Sequence, residues 1–197
     1  MYTLGLTGGS GAGKGYVSAI FESYGIHSLD TDKVSRQVCM PGEPCLCELA
    51  AEFGQGIIRE DGTLDRKGLG AIVFSDREKL MKLNKITHHY ILAECHKWLA
   101  EREKAGDFAA IIDAPQLYES RFNNYCDYVI AVLAERETRI DRIIKRDGIT
   151  REDAIKRINN QHSDNYFRDR AHFLIYNNEE SRPDLQIDVI HQQLRFV

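Results

Sequence analysis

Residues 2–15, YTLGLTGGSGAGKG, decide the fold. Tyr2 to Leu6 is a short apolar run that reads as a buried first strand, and it ends in a glycine-rich turn closed by a lysine. Lys14 to Tyr24 then has helical character, with Val17, Ile20 and Phe21 on one face. Gly25 closes that helix, because glycine adopts the left-handed cap conformation easily. Ile26 to Leu29 reads as a second strand, ending at Asp30 and Asp32. Strand, glycine loop, helix and strand together open a parallel α/β sheet.

Within that frame, Gly8-Gly9-Ser10-Gly11-Ala12-Gly13-Lys14 satisfies the GxxxxGK pattern in its proper context, after a strand and before a helix. Glycines let backbone N–H groups turn inward around phosphate oxygens, and the helix N-terminus adds positive potential. The expected nucleotide-binding residues are therefore Gly9, Ser10, Gly11, Ala12, Gly13, Lys14, Gly15 and Tyr16, with Lys14 reaching the β- and γ-phosphates. The competing reading is a glycine-rich turn with an exposed lysine. One part of the pattern is missing. The residue after the lysine is normally Ser or Thr, whose hydroxyl ligates Mg²⁺, and here it is Gly15. Magnesium wants octahedral oxygen ligation but keeps waters readily, so water can fill that position at some loss of metal positioning.

The rest of the chain fits this opening. It has 197 residues, with Lys+Arg 26 against Asp+Glu 30 and a net charge of −4. That length suggests one domain with an insertion. No apolar run approaches the roughly 18–20 residues of a membrane span, and no basic leader precedes an apolar stretch, so a cytoplasmic location is expected. The mild acidity gives no reason to expect nucleic-acid binding. The five cysteines (Cys39, Cys45, Cys47, Cys95, Cys126) form no regular framework. They read as reduced thiols, with a Cys45/Cys47 metal site as the minor alternative.

From Lys33 to Ala105 the pattern is helical, broken by Pro41-Gly42, Gly54-Gln55-Gly56 and Asp61-Gly62. Ser75-Asp-Arg-Glu78 reads as a capping box that starts a run through Leu80, Leu83 and Ile86, with a second helix pattern continuing past His88-His89 to Leu99. Strands are expected at Phe108 to Ile112, Tyr128 to Leu133 and Phe173 to Tyr176. Helices are expected at Arg136 to Arg146, after Thr150, and over Leu185 to Leu194.

The stretches LTGGSGAGK, LDTDKVSRQV, GTLDRKGLGAIVFSD, LNKITHHYI, the APQLYES region, RIIKRDGITREDA, RINNQ and IYNN resemble the dephospho-coenzyme A kinases nearly end to end. The LDR…IVFSD…ITH series is the distinctive part. That resemblance implies a P-loop NTPase fold: α/β, a five-stranded parallel sheet flanked by helices, with a helical acceptor-binding region and a lid. It implies a core over 1–32, 107–135 and 171–197, the acceptor region over 33–106 and the lid over 136–170. It also implies transfer of the γ-phosphoryl of ATP, with Mg²⁺, to the ribose 3′-hydroxyl of dephospho-coenzyme A. Two alternatives stay open: a catalytically weakened nucleotide-binding homologue, and a kinase for another nucleoside-like acceptor.

Site residues follow by position. Asp32 matches the acid facing the acceptor hydroxyl, with Asp30 the weaker candidate; either could instead cap the following helix. Arg36, one turn beyond Asp32, is either acceptor-binding or solvated. His88 and Glu119 match acceptor-side positions. Arg139, Arg142 and Arg146 share one helical stripe, and Arg142 and Arg146 match lid arginines that neutralise the transferring phosphoryl group. Arg157 and Gln161 are supporting residues, and Asn177 matches the asparagine near the adenine. Asp113 ends a strand where such sheets hold a carboxylate that accepts from a magnesium-bound water, or else it is a turn aspartate before Pro115. The departures from the family pattern are Gly15, His89 in place of proline, Gln116, and His172 in place of aspartate. His88, His89, Cys95 and His96 lack the spacing of a helical zinc site, which favours packing or surface roles.

Overall fold

A computed structural model describes residues 1–196. Among these, five strands form one sheet: β1 (Tyr2–Thr7), β2 (His27–Asp30), β3 (Ala109–Asp113), β4 (Tyr128–Leu133) and β5 (Phe173–Tyr176). Their spatial order is β2-β3-β1-β4-β5, and the sheet is parallel. The register pairs Leu6 of β1 with Asp113 of β3 on one side and with Ile130 of β4 on the other. The chain leaves β1 toward β2 and β3, and β4 toward β5. The carboxyl edge between β1 and β4 is therefore the switch point at which open α/β sheets bind ligands.

Nine α-helices accompany the strands among the described residues: α1 (Lys14–Ser23), α2 (Thr31–Gln37), α3 (Pro44–Phe53), α4 (Arg66–Val73), α5 (Arg77–Lys104), α6 (Arg136–Asp147), α7 (Arg151–Asn159), α8 (Asp164–Arg168) and α9 (Pro183–Phe196). The chain divides into two compact units. One is a sheet unit, Met1–Leu29 with Arg102 onward, and the other a helical unit, Asp30–Glu101.

In the sheet unit, alternation along each strand assigns the two faces. Leu4, Leu6, Ala109, Ile111, Ile130, Val132 and Ile175 pack with Val17 and Phe21 of α1 and with Ile187, Ile190 and Leu194 of α9. Ala131 and Leu133, the intervening positions of β4, pack instead against Phe167 of α8. Near-continuous apolar strands are what two covered faces require. A separate small core of Ile140, Ile143, Ala154 and Ile158 joins α6 to α7.

Two local readings are corrected by the helical unit. The cap before α5 is Asp76 rather than Ser75: Asp76 Oδ1 accepts from the N–H groups of Glu78 and Lys79 at 3.0 and 3.2 Å, while the Ser75 hydroxyl donates back to the Ala71 carbonyl. The two helix patterns around His88-His89 are one helix of 28 residues. His89 keeps the backbone N–H that a proline would lack, so nothing interrupts the ladder there. No helix among the described residues is long and apolar enough to cross a membrane.

Candidate active site

The glycine loop is built to receive an anion. Helix α1 starts at Lys14 behind Gly13, which sits at φ 95° and offers no side-chain cap, and no acidic residue lies in the first turn. The first-turn N–H groups of a helix have no intrahelical acceptors, so nothing within α1 satisfies or neutralises this end. Gly13 is required twice, by its positive φ and by space: a Cβ there would lie 2.1 Å from Nδ2 of Asn177. That amide is buried and donates to the Ala12 carbonyl at 2.9 Å, so Asn177, expected near the adenine, supports the loop from beneath.

Helix α6 supplies the cations. Its stripe of Arg139, Arg142 and Arg146 lies along the loop, and each guanidinium touches it. Arg139 is buried; its Nε donates to the Ser10 carbonyl at 2.9 Å, Nη2 to Gln161 Oε1 at 3.1 Å, and Nη1 pairs with Asp164 at 3.3 Å. Burial pulls its pKa below the usual guanidinium value, and Asp164 opposes that shift. Arg142 Nη1 reaches the carbonyls of Gly11 and Ala12 at 3.4 and 3.3 Å. Arg146 Nη2 lies 3.4 Å from the Ser10 hydroxyl, but its main partner is Asp147, bound through Nε at 2.7 Å and Nη2 at 2.9 Å. The hydrogen bond from Arg146, with Arg157 behind it, holds the Asp147 carboxyl down at about 2. Gln161 Oε1 also accepts the Ser10 N–H at 2.9 Å, so one amide of the loop is engaged by the α7–α8 connection. Arg139 and Gln161 carry more of this architecture than their sequence positions suggested. The signal for both was present, in the arginine stripe and in the RINNQ stretch.

At the carboxyl end of β3, Asp113 Oδ1 stands 3.8 Å from Lys14 Nζ, both side chains being largely buried. A carboxylate there is a hard oxygen donor of the kind magnesium takes, so the residues fit an ion bound chiefly through phosphate and water. Gly15 adds no side-chain oxygen, and the Thr7 hydroxyl is directed to the Pro115 carbonyl at 3.4 Å. Among the described residues no group of three or more His, Cys, Asp or Glu could hold a metal by itself. Glu119, farther along the same connection, lies 3.0 Å from His162 Nε2, and the His162 ring stacks on Tyr166 at 3.7 Å.

Asp32, Arg36 and His88 belong to the helical unit. Asp30 is the N-cap of α2: its Oδ1 accepts from the N–H groups of Asp32 and Lys33 at 2.9 and 3.3 Å. Asp32 and Arg36 are exposed one turn apart on α2. Asp30 is thus committed to the backbone, which leaves the Asp32 carboxylate available. His88 is half-buried on α5, and burial lowers its pKa.

A family model described as dephospho-CoA kinase matches residues 2–183. The chain belongs to the dephospho-CoA kinase family. It is 40% identical over 175 residues to the dephospho-CoA kinase of Shouchella clausii, an alignment covering 89% of each chain. Among solved structures, a Thermus thermophilus protein matches with a TM-score of 0.83 and 26% identity, covering 100% of this chain and 98% of that one. The dephospho-CoA kinase from Campylobacter jejuni matches with a TM-score of 0.70 and 25% identity, over 98% and 97% of the two chains.

As a dephospho-CoA kinase family member, the chain departs from the expected pattern at places where the structure supplies a reason. His172 Nδ1 accepts the Val129 N–H at 3.0 Å, and the His172 N–H donates to the Val129 carbonyl. The imidazole nitrogen gives β4 the acceptor that an aspartate would offer. The Gln116 carbonyl accepts from the Ser120 hydroxyl at 2.6 Å in a turn that leaves its own side chain exposed. Gly15 is different, because among the described residues no contact replaces the missing hydroxyl, and a Cβ there would meet nothing within 4 Å.

Proposed function

We propose that the protein transfers the γ-phosphoryl group of ATP to the ribose 3′-hydroxyl of dephospho-CoA, giving CoA and ADP. The observation that carries this reading is the convergence of Arg139, Arg142 and Arg146 on the loop of a chain that belongs to this kinase family. Phosphoryl transfer needs positioning and charge neutralisation more than covalent chemistry from the protein. Lys14 and the loop amides hold the β- and γ-phosphates. Arg142, and Arg146 once it turns from Asp147, face the charge on the transferring oxygens. Asp32 takes the proton of the acceptor hydroxyl as the new O–P bond forms and the bond to ADP breaks. Arg36, His88 and Glu119 bind the acceptor, residues 33–106 act as its binding region, and 136–170 act as a lid. A magnesium ion held by phosphate oxygens, by water and by Asp113 would supply further charge neutralisation at the β- and γ-phosphates.

The test is a product assay with ATP, Mg²⁺ and dephospho-CoA, run beside a measurement of ATP binding. The expected result is 3′-phosphorylated product. Tight ATP binding with no product would overturn the activity and favour a nucleotide-binding role, the reading that the missing hydroxyl at Gly15 supports. Turnover of another nucleoside-like acceptor in preference would overturn the assigned substrate.

A further inference from the structure

The helical unit holds a thiol pair that the phosphoryl-transfer chemistry does not use. Cys39 follows the end of α2 by two residues, and Cys45 lies in the first turn of α3. Their sulfurs are 3.8 Å apart, and both residues are buried, at 4% and 0% exposure. The turn that joins them, residues 40–44, is exposed throughout, with Gly42 at φ 90°. The environment is also unequal. The hydrogen bond with Cys45 and the nearby Arg66 cation pull the Cys39 thiol down, whereas the same bond and burial push Cys45 up. Arg66 also donates from Nη2 to the Ser35 carbonyl at 3.3 Å, so the cation beside Cys39 is a tie onto α2 itself. A cysteine drawn toward ionisation beside a cation, with a second sulfur 3.8 Å away, is the pairing of an attacking and a resolving cysteine.

We propose that Cys39 and Cys45 are a hydroperoxide-sensitive dithiol whose closure to a disulfide slows phosphorylation of the acceptor. In the first step the Cys39 thiolate attacks one peroxide oxygen, the O–O bond breaks, and the departing oxygen leaves as water or alcohol after taking a proton. Cys39 is left as the sulfenic acid. The Cys45 sulfur then attacks the Cys39 sulfur, the S–O bond breaks, and hydroxide leaves with the Cys45 proton as water. Two thiols are oxidised by two electrons, and one hydroperoxide is reduced by two. The sulfurs must close from 3.8 Å to about 2.05 Å. That movement falls on the 40–44 turn and on the end of α2, and it discharges the thiolate beside Arg66. The kinetic consequence rests on reading Asp32 and Arg36, both on α2, as acceptor-side residues.

The experiment treats the reduced full-length protein with hydrogen peroxide, alkylates the remaining thiols and digests with trypsin. No Lys or Arg lies between Arg36 and Arg59, so Cys39, Cys45 and Cys47 share one peptide. The expected peptide is lighter by two hydrogens than the dithiol, with fragmentation placing the bond between 39 and 45 and the alkyl group on Cys47. Oxidation should raise KM for dephospho-CoA or lower kcat several-fold, leave ATP affinity unchanged, and be reversed by dithiothreitol. Cys47→Ser should respond as the parent does, and Cys45→Ser should not. A bond that includes Cys47, sulfinic acid in place of a disulfide, or a disulfide with unchanged acceptor kinetics would each overturn the proposal. A reduced protein with no turnover of dephospho-CoA would overturn the assigned activity and the kinetic consequence, leaving the disulfide itself to be decided by the mass spectrum.

Discussion

The Arg139 guanidinium fills the space that a side chain at Gly9 would need: a Cβ on Gly9 would lie 2.3 Å from Nη2. Arg139 is the far end of a flexible chain, yet it is held by Ser10, Gln161 and Asp164 together and cannot yield without losing those partners. The loop and α6 are therefore fitted to each other before any nucleotide arrives.

Gly9→Ala should accordingly weaken ATP binding, because the methyl group displaces the guanidinium that holds the Ser10 carbonyl. Arg139→Met should lower stability by about 2–3 kcal/mol, the scale for losing charged hydrogen bonds at a buried site whose acceptors are then left unpaired. Urea denaturation measures the second effect and isothermal titration with ATP the first. Parent-like ATP affinity in Gly9→Ala would show that the loop does not depend on this contact.

Helix α6 also carries a pH-dependent element. Asp147 is held at about 2 by Arg146 and Arg157, below its ordinary 3.8. A depressed carboxyl contributes stability that is fully present above its unfolded pKa and is lost as pH falls through the folded one. The parent protein should thus exceed Asp147→Asn in stability by a constant margin from pH 7 to about 5, and that margin should close between about pH 4 and 2. Chemical denaturation across this range gives the comparison. A margin that persists unchanged to the acid end would mean that Asp147 acts through packing rather than charge.

The phosphate loop and the strands were legible because their signals are local. GxxxxGK between a strand and a helix fixes the turn, and the apolar runs of β4 and β5 stop where the structure stops them, at Tyr128–Leu133 and Phe173–Tyr176. What was not legible depends on partners distant in sequence. The arginine stripe is visible, but burial of Arg139 requires knowing that Ser10, Gln161 and Asp164 surround it. The two apolar patterns around His88-His89 belong to one helix of 28 residues, whose buried residues are Ile91 and Cys95. At Ser75-Asp76 two good capping residues adjoin, and the carboxylate reaches the Glu78 and Lys79 N–H groups while the hydroxyl turns back to Ala71.

Gly15 is an open position: a Cβ there meets nothing within 4 Å. Gly15→Ser should fold without strain and gain up to about 0.5 kcal/mol from better helix propensity. If the absent hydroxyl limits metal positioning, the substitution should raise kcat and lower the Mg²⁺ concentration that gives half-maximal rate. An unchanged kcat with an unchanged Mg²⁺ profile would show that water serves as well as serine there.

Two aspartates at the start of α2, the N-cap Asp30 and Asp32 in the first turn, make the sharpest separation of fold from chemistry. Asp30 spends its carboxylate on the N–H groups of Asp32 and Lys33, whereas the Asp32 side chain is exposed and takes no part in the cap. Asp30→Ala should therefore cost about 1 kcal/mol of stability, the usual loss for an N-cap. Asp32→Asn should leave stability and ATP affinity as they were and lower kcat by roughly 10²–10⁴, the range for removing a general base. The asparagine cannot take the proton but keeps the size of the side chain, so KM for dephospho-CoA should move far less than kcat. If Asp32→Asn retains turnover while Asp30→Asn loses it without a loss of stability, the two roles are exchanged and the base is the capping residue.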